Sequence, residues 1–502
     1  MDALATALAG TADLYTLGAI LFGSVFGIIF GAIPGMTYSM ALALVLPFTF
    51  GMPEVPSIGL LLGTYIGGMT GGAIPAILIG IPGTPSTAAT VIDGYAMGRS
   101  GKASLALGTA VVASAIGGLF SLVVMMVSVQ PIAKIAVSFG PAEIFALVVF
   151  GLSTICGLSE HSILRGLIAG VIGLMMVMIG QDNIDGLPRL TFGSTTLLQG
   201  VNLLVGMIGL FAIPQVIETL VNFRSGGTPA VDPQSVKVEL PTLRLLWRNA
   251  GLMIRASGIG TIVSAIPGTG GPVAAFLAYD NARRFAKKTD QFGKGDIRGV
   301  IAPECANHAV TGGTMITLLG LGIPGEPATA VILGGLLIHG LQPGPLLFTE
   351  HPNIIYTIYI QIVVAYLMVC TIQLYGIRFF VRALIVPPQL LAVAILVMCV
   401  VGSYAIRNSF FDIYSMLTIG LLGYALKRVH IPVTPIVLGL VLGPILEDQL
   451  RTALLLSQGD VSVFYTSPIA MGFFVLALAV VVVQLFGQLR GRGRRRSVVA
   501  PQ

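Results

Sequence analysis

The chain has 502 residues, of which 55% are hydrophobic and only 10% are charged, whereas an average soluble domain has about 25% charged residues. Its net charge of +6 is concentrated in a few loops and in the C-terminal segment RGRGRRRS, which argues against a nucleic-acid-binding protein. A membrane-crossing helix needs about 20 apolar residues. The composition therefore predicts an all-α polytopic membrane protein in a lipid bilayer.

Loop charge predicts the orientation of the crossings, because short cytoplasmic loops are rich in Lys and Arg. Acidic loops at 49–57, 349–353 and 446–450 are expected to face outward. Basic stretches are expected in the cytoplasm: Arg99 with Lys102, 222–255, 283–298, Lys427 with Arg428, and the C-terminal segment.

The apolar runs follow in chain order. After the first basic loop they lie at 104–129, 141–157, 162–180 and 197–221, and after Glu350 at 354–385, 388–405, 409–427, 431–446 and 467–489. Ala256 to Tyr279 lies between two basic stretches and is too short for two crossings, so it is expected to form a re-entrant hairpin turning at AIPGTGGP. The whole chain is expected to make about eleven full crossings.

Two motifs occur twice. GAIPGM at Gly31 is echoed by SAIPGTGG at Ser264, 233 residues later, and IGIPGTPSTA at Ile79 by LGIPGEPATA at Leu321, 242 residues later. The loop after the first motif is acidic in the first copy and basic in the second, and the loop after the second motif is basic in the first copy but not in the second. This exchange predicts two inverted-topology repeats with re-entrant hairpins and broken helices. Such repeats are typical of secondary transporters, whose sites lie near the membrane midplane.

The repeats predict a domain plan. Residues 1–222 form membrane repeat 1, 223–255 a cytoplasmic linker and 256–450 membrane repeat 2. Residues 451–489 form an extra C-terminal transmembrane helix, and 490–502 a basic cytoplasmic tail.

Pro-Gly breaks inside apolar segments are the candidate substrate site. They leave backbone groups unpaired, which hydrocarbon does not tolerate, and each starts a half-helix whose free N–H groups favour an anion such as a carboxylate. The alternative is that Pro-Gly only kinks helices and that the nearby hydroxyls only cap them. The candidate residues are Pro34, Gly35, Pro82, Gly83, Thr84, Ser86, Thr87, Pro267, Gly268, Thr269, Gly270, Gly271, Pro324, Gly325 and Thr329.

APECANHAVTGG places Glu304, Asn307 and His308 inside an apolar span, where polar groups are expensive. Oxygen ligands from Glu304 and Asn307 suit coupling Na⁺, with Asn307 the candidate Na⁺ ligand, or a carried proton. Interhelical hydrogen bonding or a place near the cytoplasmic mouth is the alternative. Three other charged residues near span ends are expected in ion pairs or on solvated faces: Asp93, Asp182 and Arg189.

Catalytic signatures such as H-E-x-x-H, a P-loop or a nucleophile elbow are missing from the sequence in any suitable context. Neither enzymatic activity nor a bound cofactor is expected. A channel, an intramembrane enzyme and a carrier that needs no partner proteins stay as alternatives to a transporter.

Several stretches together resemble the large membrane subunit of the tripartite tricarboxylate transporter family, over nearly the whole chain. They include GIPGTPSTAATVIDGYAMGRSGKA, GTGGPVAAFLAYD, FGKGDIRGVIAPECANHA, LGIPGEPATA and GSYAIRNSFFDIY. The family's paired breaks correspond to Pro34-Gly35, Pro82-Gly83, Pro267-Gly268 and Pro324-Gly325.

The resemblance implies a multi-pass importer of the bacterial inner membrane, driven by a Na⁺ or H⁺ gradient. It also implies a small membrane subunit, and a periplasmic solute-binding protein that captures citrate-like di- and tricarboxylates. An elevator-like motion is a hypothesis by fold analogy, and an oligomer is left open.

Two positions depart from the family's usual pattern. His308 stands where a second Asn is usual, and Glu326 follows Pro324-Gly325 where a small residue is usual. A carboxylate at a half-helix N-terminus competes with an anionic substrate unless it is protonated or paired with a cation, so a less highly charged solute is an alternative.

Overall fold

The computed structural model describes residues 2–157, 162–182, 184–221, 238–287, 291–384 and 386–496. Residues 223–237 of the predicted linker and 497–502 of the predicted basic tail lie outside this part of the chain. The described part is almost entirely helical, and its one sheet is a short antiparallel pair, β1 (Gly180–Gln181) and β2 (Pro188–Arg189).

The helices follow the apolar runs of the sequence. The first group is α1 (Asp2–Ala12), α2 (Leu14–Ala32), α3 (Tyr38–Thr49), α4 (Glu54–Gly71), α5 (Ala73–Leu78), α6 (Ala88–Met97), α7 (Ala103–Ala136), α8 (Pro141–Gly157), α9 (Ile163–Val177) and α10 (Leu203–Val221). The second group is α11 (Leu243–Arg248), α12 (Ala250–Ser264), α13 (Gly270–Arg284), α14 (Arg298–Leu321), α15 (Pro327–Ile338), α16 (Leu347–Glu350), α17 (Pro352–Ala383), α18 (Pro388–Arg407), α19 (Phe410–Arg428), α20 (Val433–Leu456), α21 (Val463–Thr466) and α22 (Pro468–Arg496).

Seven helical stretches of the described residues are long and apolar enough to cross a bilayer, which makes this a membrane protein. They are Leu14–Ala32, Glu54–Leu78, Pro85–Ala136, Leu203–Val221, Pro352–Arg382, Gln389–Arg407 and Val433–Leu456. The predicted count of about eleven crossings stays a prediction.

The chain divides by its internal contacts into two compact units. Unit 1 is Met1–Lys134 with Phe211–Ser409, and unit 2 is Ile135–Leu210 with Phe410–Gln502. Each unit therefore draws on both predicted repeats, and the repeats themselves stay a prediction.

Glycine allows the closest helix packing in unit 1. Gly23 and Gly27 of α2 lie against the backbone of Leu60 and Thr64 in α4, and Gly67 of α4 lies against Ser24 of α2. Small residues spaced four apart let two helix backbones approach closely, and in apolar surroundings van der Waals packing of this kind drives association. α12 and α14, each of which precedes one break of the second copy, approach closely in the same way, with Gly260 of α12 against the carbonyl of Ala306 in α14.

In unit 2, glycines also allow α9 and α20 to pack closely. Gly173 of α9 lies against the carbonyl of Ile436, and Gly439 of α20 lies against the carbonyl of Gly170. A Cβ atom at either glycine would meet backbone, so both packings depend on the missing side chain.

One predicted loop is wrong. Residues 446–450, expected to face outward as a loop, belong to α20, which continues to Leu456. Glu447 and Arg451 form an ion pair one helical turn apart, at 3.3 Å, so the charges that indicated a loop are accommodated on the helix surface.

Candidate functional site

The first Pro-Gly break of each copy has the same backbone conformation. α2 ends just before Pro34-Gly35 and α12 just before Pro267-Gly268, and the glycines have φ values of 87° and 89°. Residues with a side chain rarely adopt this left-handed conformation. Each break is followed by a new helix, α3 or α13. The N-terminal turn of a helix presents backbone N–H groups without intrahelical partners. Of these, the Met40 amide of α3 donates to the Thr37 hydroxyl at 3.2 Å, and the Gly271 amide of α13 donates to the Glu326 side chain.

The second breaks also match. Gly80 and Gly322, two residues before Pro82 and Pro324, have φ values of 73° and 74°. Each break ends in a capping box, in which Thr84 pairs with Thr87 in the first copy and Glu326 with Thr329 in the second. Proline follows the N-cap residue in both, at Pro85 and Pro327, where it fits the start of a helix.

Contacts inside unit 1 bring all four breaks together. The Gly268 amide donates to the Gly325 carbonyl at 2.7 Å, which joins the two breaks of the second copy. In the first copy, Gly83 lies against the carbonyl of Gly31. The two copies meet at Gly271 and Ser86. A Cβ atom placed on Gly271 would lie 2.8 Å from the Cβ atom of Ser86. The N-terminal ends of several half-helices therefore lie close together in one region of unit 1.

Glu326 lies at the centre of this region, and its side chain is buried. The Tyr38 hydroxyl donates to Oε2 at 3.1 Å, the Tyr65 hydroxyl donates to Oε1, and the Gly271 amide supplies a further hydrogen bond. The carboxylate is therefore held by neutral donors from α3, α4 and α13.

Asn307 is fully buried and lies next to Gly271, whose amide bonds Glu326. Its Oδ1 atom would lie 2.8 Å from a Cβ placed on Gly271, close to Ser86. Neither Oδ1 nor Nδ2 has a hydrogen-bond partner in the described part of the chain. A buried amide with both polar atoms unpaired is rare in proteins, so Asn307 is a strong candidate for contact with a ligand or an ion.

Glu304 lies one turn before His308 on α14 and is also buried. The hydroxyls of Thr90 and Ser114 donate to its carboxylate at 2.6 Å and 3.2 Å. His308 Nε2 lies 3.9 Å from the same carboxylate and has no other partner among the described residues. Hydroxyl and carboxylate oxygens of this kind suit Na⁺ or a shared proton, although no group of three His, Cys, Asp or Glu residues in the described chain is arranged to hold a metal.

Some predicted hydroxyls are used locally. In the capping boxes, the Thr84 amide donates to the Thr87 hydroxyl at 3.4 Å, and the Glu326 amide donates to the Thr329 hydroxyl at 3.0 Å. The same two hydroxyls donate to the Thr84 and Glu326 carbonyls, each at 2.9 Å. Thr269 donates to the Ile266 carbonyl at 3.0 Å. Thr84 and Ser86 also bond locally, because their hydroxyls form a hydrogen bond with each other at 3.0 Å, near the meeting point of the copies.

Sequence reasoning missed four polar partners: Tyr38, Tyr65, Thr90 and Ser114. Tyr38 comes three residues after Gly35, so an aromatic hydroxyl at the start of α3 was the available signal. The other three lie on helices whose sequences do not indicate which element they face.

Asp93 was expected in an ion pair or on a solvated face. Instead it is buried in unit 1, and it forms no ion pair within the described part of the chain. Its Oδ1 atom accepts from the backbone amides of Gly293, Gly295 and Asp296 at 2.8–2.9 Å, and its Oδ2 atom accepts from the Tyr279 hydroxyl at 2.8 Å. The prediction was wrong because backbone donors supply the partner, and composition does not show them.

Comparison with known proteins gives a family match over most of the chain. The model described as the tripartite tricarboxylate transporter TctA family matches residues 17–438. An "Uncharacterized 52.8 kDa protein in TAR-I ttuC' 3'region" of Agrobacterium vitis is 35% identical over 458 residues, or 90% of this chain and 89% of that protein. An "Uncharacterized protein in TAR-II ttuC' 3'region" of the same organism is 37% identical over 233 residues, or 46% of this chain and 96% of that protein. No solved structure matches the chain.

Proposed function

Because the chain belongs to the tripartite tricarboxylate transporter TctA family, we propose that it is the large membrane subunit of a secondary active importer for carboxylates. The observation that carries the proposal is the meeting of four helix breaks in unit 1, around Glu326 and Asn307. Half-helix N-termini that point at a common region favour an anionic group there. The matching φ values of the glycines in both copies support a duplicated unit. The inverted topology is proposed from the loop charges of the sequence.

The substrate site in this proposal includes the four breaks and the hydroxyls of Thr84 and Ser86. The breaks supply backbone N–H groups, the hydroxyls supply neutral donors, and Asn307 supplies an amide that has no partner among the described residues. An organic anion with several oxygens matches this set of donors.

Energy coupling is proposed at Glu304 and Asn307, three residues apart on α14. Glu304 faces Thr90, and Asn307 lies near Ser86, so both are next to the segment that follows the second break of the first copy. A Na⁺ ion near Asn307, or a proton carried between Glu304 and His308, would link solute binding to the ion gradient.

The partners and location follow from the family. We propose the bacterial inner membrane, a small membrane subunit, and a periplasmic binding protein that delivers the solute. Alternating access by an elevator-like motion is proposed by analogy with other inverted-repeat transporters.

Reconstituted vesicles test the proposal. The chain and its small subunit are placed in vesicles, the binding protein is added outside, and uptake of labelled glutarate and citrate is measured under an imposed Na⁺ or H⁺ gradient. We expect saturable uptake that stops when an ionophore collapses the gradient. Flux that rises linearly and survives the ionophore would indicate a channel, and full uptake without the binding protein would indicate a self-sufficient carrier.

A further inference from the structure

The two capping boxes at the second breaks differ in one residue that bears on substrate charge. The N-cap residue is Thr84 in the first copy and Glu326 in the second, although both boxes have proline next and threonine at the third helical position. We propose that the Glu326 carboxylate itself occupies the anion position of the second copy, so that the transported solute is a mono- or dicarboxylate and not a tricarboxylate. This inference rests on the proposed function.

The bonding of Glu326 is that of a bound anion. The hydroxyls of Tyr38 and Tyr65 and the amide of Gly271 all direct hydrogens to its carboxylate. Donors of this kind, together with a half-helix N-terminus, are what a site offers to a substrate carboxylate. Here the donors already bond a carboxylate that is part of the chain.

A second carboxylate at this position would meet two obstacles. It would have to share the donors that Glu326 already uses, and it would place two like charges close together in a buried region, where their repulsion is much stronger than in water. The donors that bond Glu326 are all neutral, so they leave the negative charge of its ionised form uncompensated. A solute with one carboxylate fewer avoids both costs.

The first copy presents the opposite chemistry. At the start of a half-helix, Thr84 and Ser86 have buried, uncharged hydroxyls that form a hydrogen bond with each other, at 3.0 Å. A solute carboxylate fits there, because hydroxyl and N–H donors stabilise it and no fixed negative charge belongs to that capping box.

Asn307 gives an independent indication that a ligand binds between the two positions. Its buried amide has no partner among the described residues and lies next to Gly271, which bonds Glu326, and next to Ser86. The Asn307 side chain has one acceptor oxygen and one donor NH₂ group. A solute group that both donates and accepts hydrogen bonds, such as a hydroxyl, would satisfy both.

Glutarate and tricarballylate provide a matched pair of probes, because tricarballylate is glutarate with one more carboxylate on the central carbon. The full chain is purified in lipid nanodiscs at pH 7.5, and the affinity for each compound is measured by the shift in Tm with concentration. We expect the wild type to bind glutarate at least about tenfold more tightly than tricarballylate. In Glu326→Gln and Glu326→Thr we expect this preference to fall to about threefold or less.

Glu350→Gln is the matched control. It removes one acid of the chain at an exposed position in α16, so the preference for glutarate should stay that of the wild type. Glu326→Gln keeps an acceptor oxygen for the tyrosine hydroxyls and is the variant expected to fold if Glu326→Thr does not.

The outcomes separate this inference from the proposed function. Carboxylate binding with an unchanged preference in Glu326→Gln would overturn the role of Glu326, and so would a wild type that prefers tricarballylate, whether or not the variants fold. If neither compound binds to the folded wild type or to the folded variants, the proposed carboxylate site is itself wrong.

Discussion

Unit 1 and unit 2 hold their buried acids in different ways. In unit 1, Glu326 is bonded by two tyrosine hydroxyls and a backbone amide. In unit 2, Asp182 lies 2.9 Å from the Arg451 guanidinium and 3.5 Å from that of Arg189. Both carboxylates are almost fully shielded from solvent, but within the described ranges of the chain only Asp182 is ion-paired with basic side chains.

The arginines of unit 2 make a compact ionic cluster. Arg189 in β2 also donates to both carboxylate oxygens of Glu447, at 2.6 Å and 3.2 Å. Paired charges of opposite sign on β2 and α20 fix the short strand pair to the helix, and they leave little net charge at the cluster. The cluster therefore has a structural role, which is to hold the strand pair against α20.

The contrast indicates which acids are available for function. Neutral donors hold Glu326 in place and leave the charge of its ionised form without a compensating basic partner among the bonds given above, so the ionised form can repel an anionic solute. Asp93 is an intermediate case. Like Glu326, it lies in unit 1 and is bonded by neutral donors. Three of those donors are backbone amides of residues 293–296, which surround the Asp93 carboxylate. The following changes test these distinctions, from the largest expected effect to the smallest.

Valine at the second-break glycines is expected to have the largest effect. A Cβ at Gly83 would meet the Gly31 carbonyl and lie 2.7 Å from Gly72 Cα, and a Cβ at Gly325 would lie 2.8 Å from Thr314 Cγ2. Overpacking of this kind costs about 1–3 kcal/mol. We expect Gly83→Val and Gly325→Val to abolish uptake, with the larger loss of Tm in Gly83→Val, because the two atoms nearest to its Cβ would be backbone atoms.

The control for these variants is Gly258→Val on α12, where a Cβ would have open space. Its uptake and Tm should equal those of the wild type. Wild-type uptake kinetics in either break variant would show that the close approach at the breaks is not needed for transport.

Asp93→Ala is expected to have the next largest effect. It removes the acceptor for three backbone amides and for the Tyr279 hydroxyl, and hydrogen bonds to a charged group contribute about 1.5–3 kcal/mol each. We expect a loss of about 3 kcal/mol in the free energy of unfolding, measured by denaturant titration. Asp280→Asn is the control, because its ion pair with Arg284 at 2.7 Å is exposed and should contribute little. Equal effects of the two substitutions would contradict the buried role of Asp93.

Tyr65→Phe tests the hydroxyl donors around Glu326. Loss of a hydrogen bond to an ionised carboxylate is expected to cost about 1.5–3 kcal/mol of stability, and loss of one to a neutral amide about 0.5–1.5 kcal/mol. The same substitution should therefore cost less in the Glu326→Gln background, and a double-mutant cycle measures the difference. Additive effects would mean that Tyr65 and Glu326 do not interact through a charged hydrogen bond.

Much of this fold and part of the site follow from the sequence. The predicted run 141–157 coincides with α8, and the turn of the predicted hairpin falls between Ser264 and Gly270, because proline and glycine mark where helices break. The convergence of the breaks was predicted from their repetition. Tyr38 and Tyr65 were missed because their partner, Glu326, is more than 250 residues away and aromatic residues in apolar helices usually pack in the core.

Asn307→Ala is expected to change ion or solute dependence with little change in stability. The amide makes no hydrogen bond to the described residues, so its loss removes no internal bond. We expect the Na⁺ concentration for half-maximal uptake to rise while Tm stays within a few degrees of the wild type. Ser114→Ala is the comparison, since its hydroxyl donates to Glu304 at 3.2 Å and its loss should lower Tm. An unchanged cation dependence in Asn307→Ala would remove Asn307 from the ion site.

Acid unfolding is expected to show the smallest effect and concerns unit 2. The Ile184 amide, followed by that of Asp185 and by the two arginines, lowers the pKa of Asp182 below its ordinary value, against the opposing effect of burial. A carboxyl group with a lowered folded-state pKa stabilises the fold above its unfolded pKa of about 3.9, and this stabilisation is lost as the pH falls through the folded value. We therefore expect Asp182→Asn to have a lower Tm than the wild type at pH 7 and the two curves to converge below about pH 4. A difference in Tm that is constant from pH 7 to pH 3 would mean that the ionised form of Asp182 is not what the arginines stabilise, and unit 2 would then lose the feature that distinguishes it from the neutral bonding of Glu326.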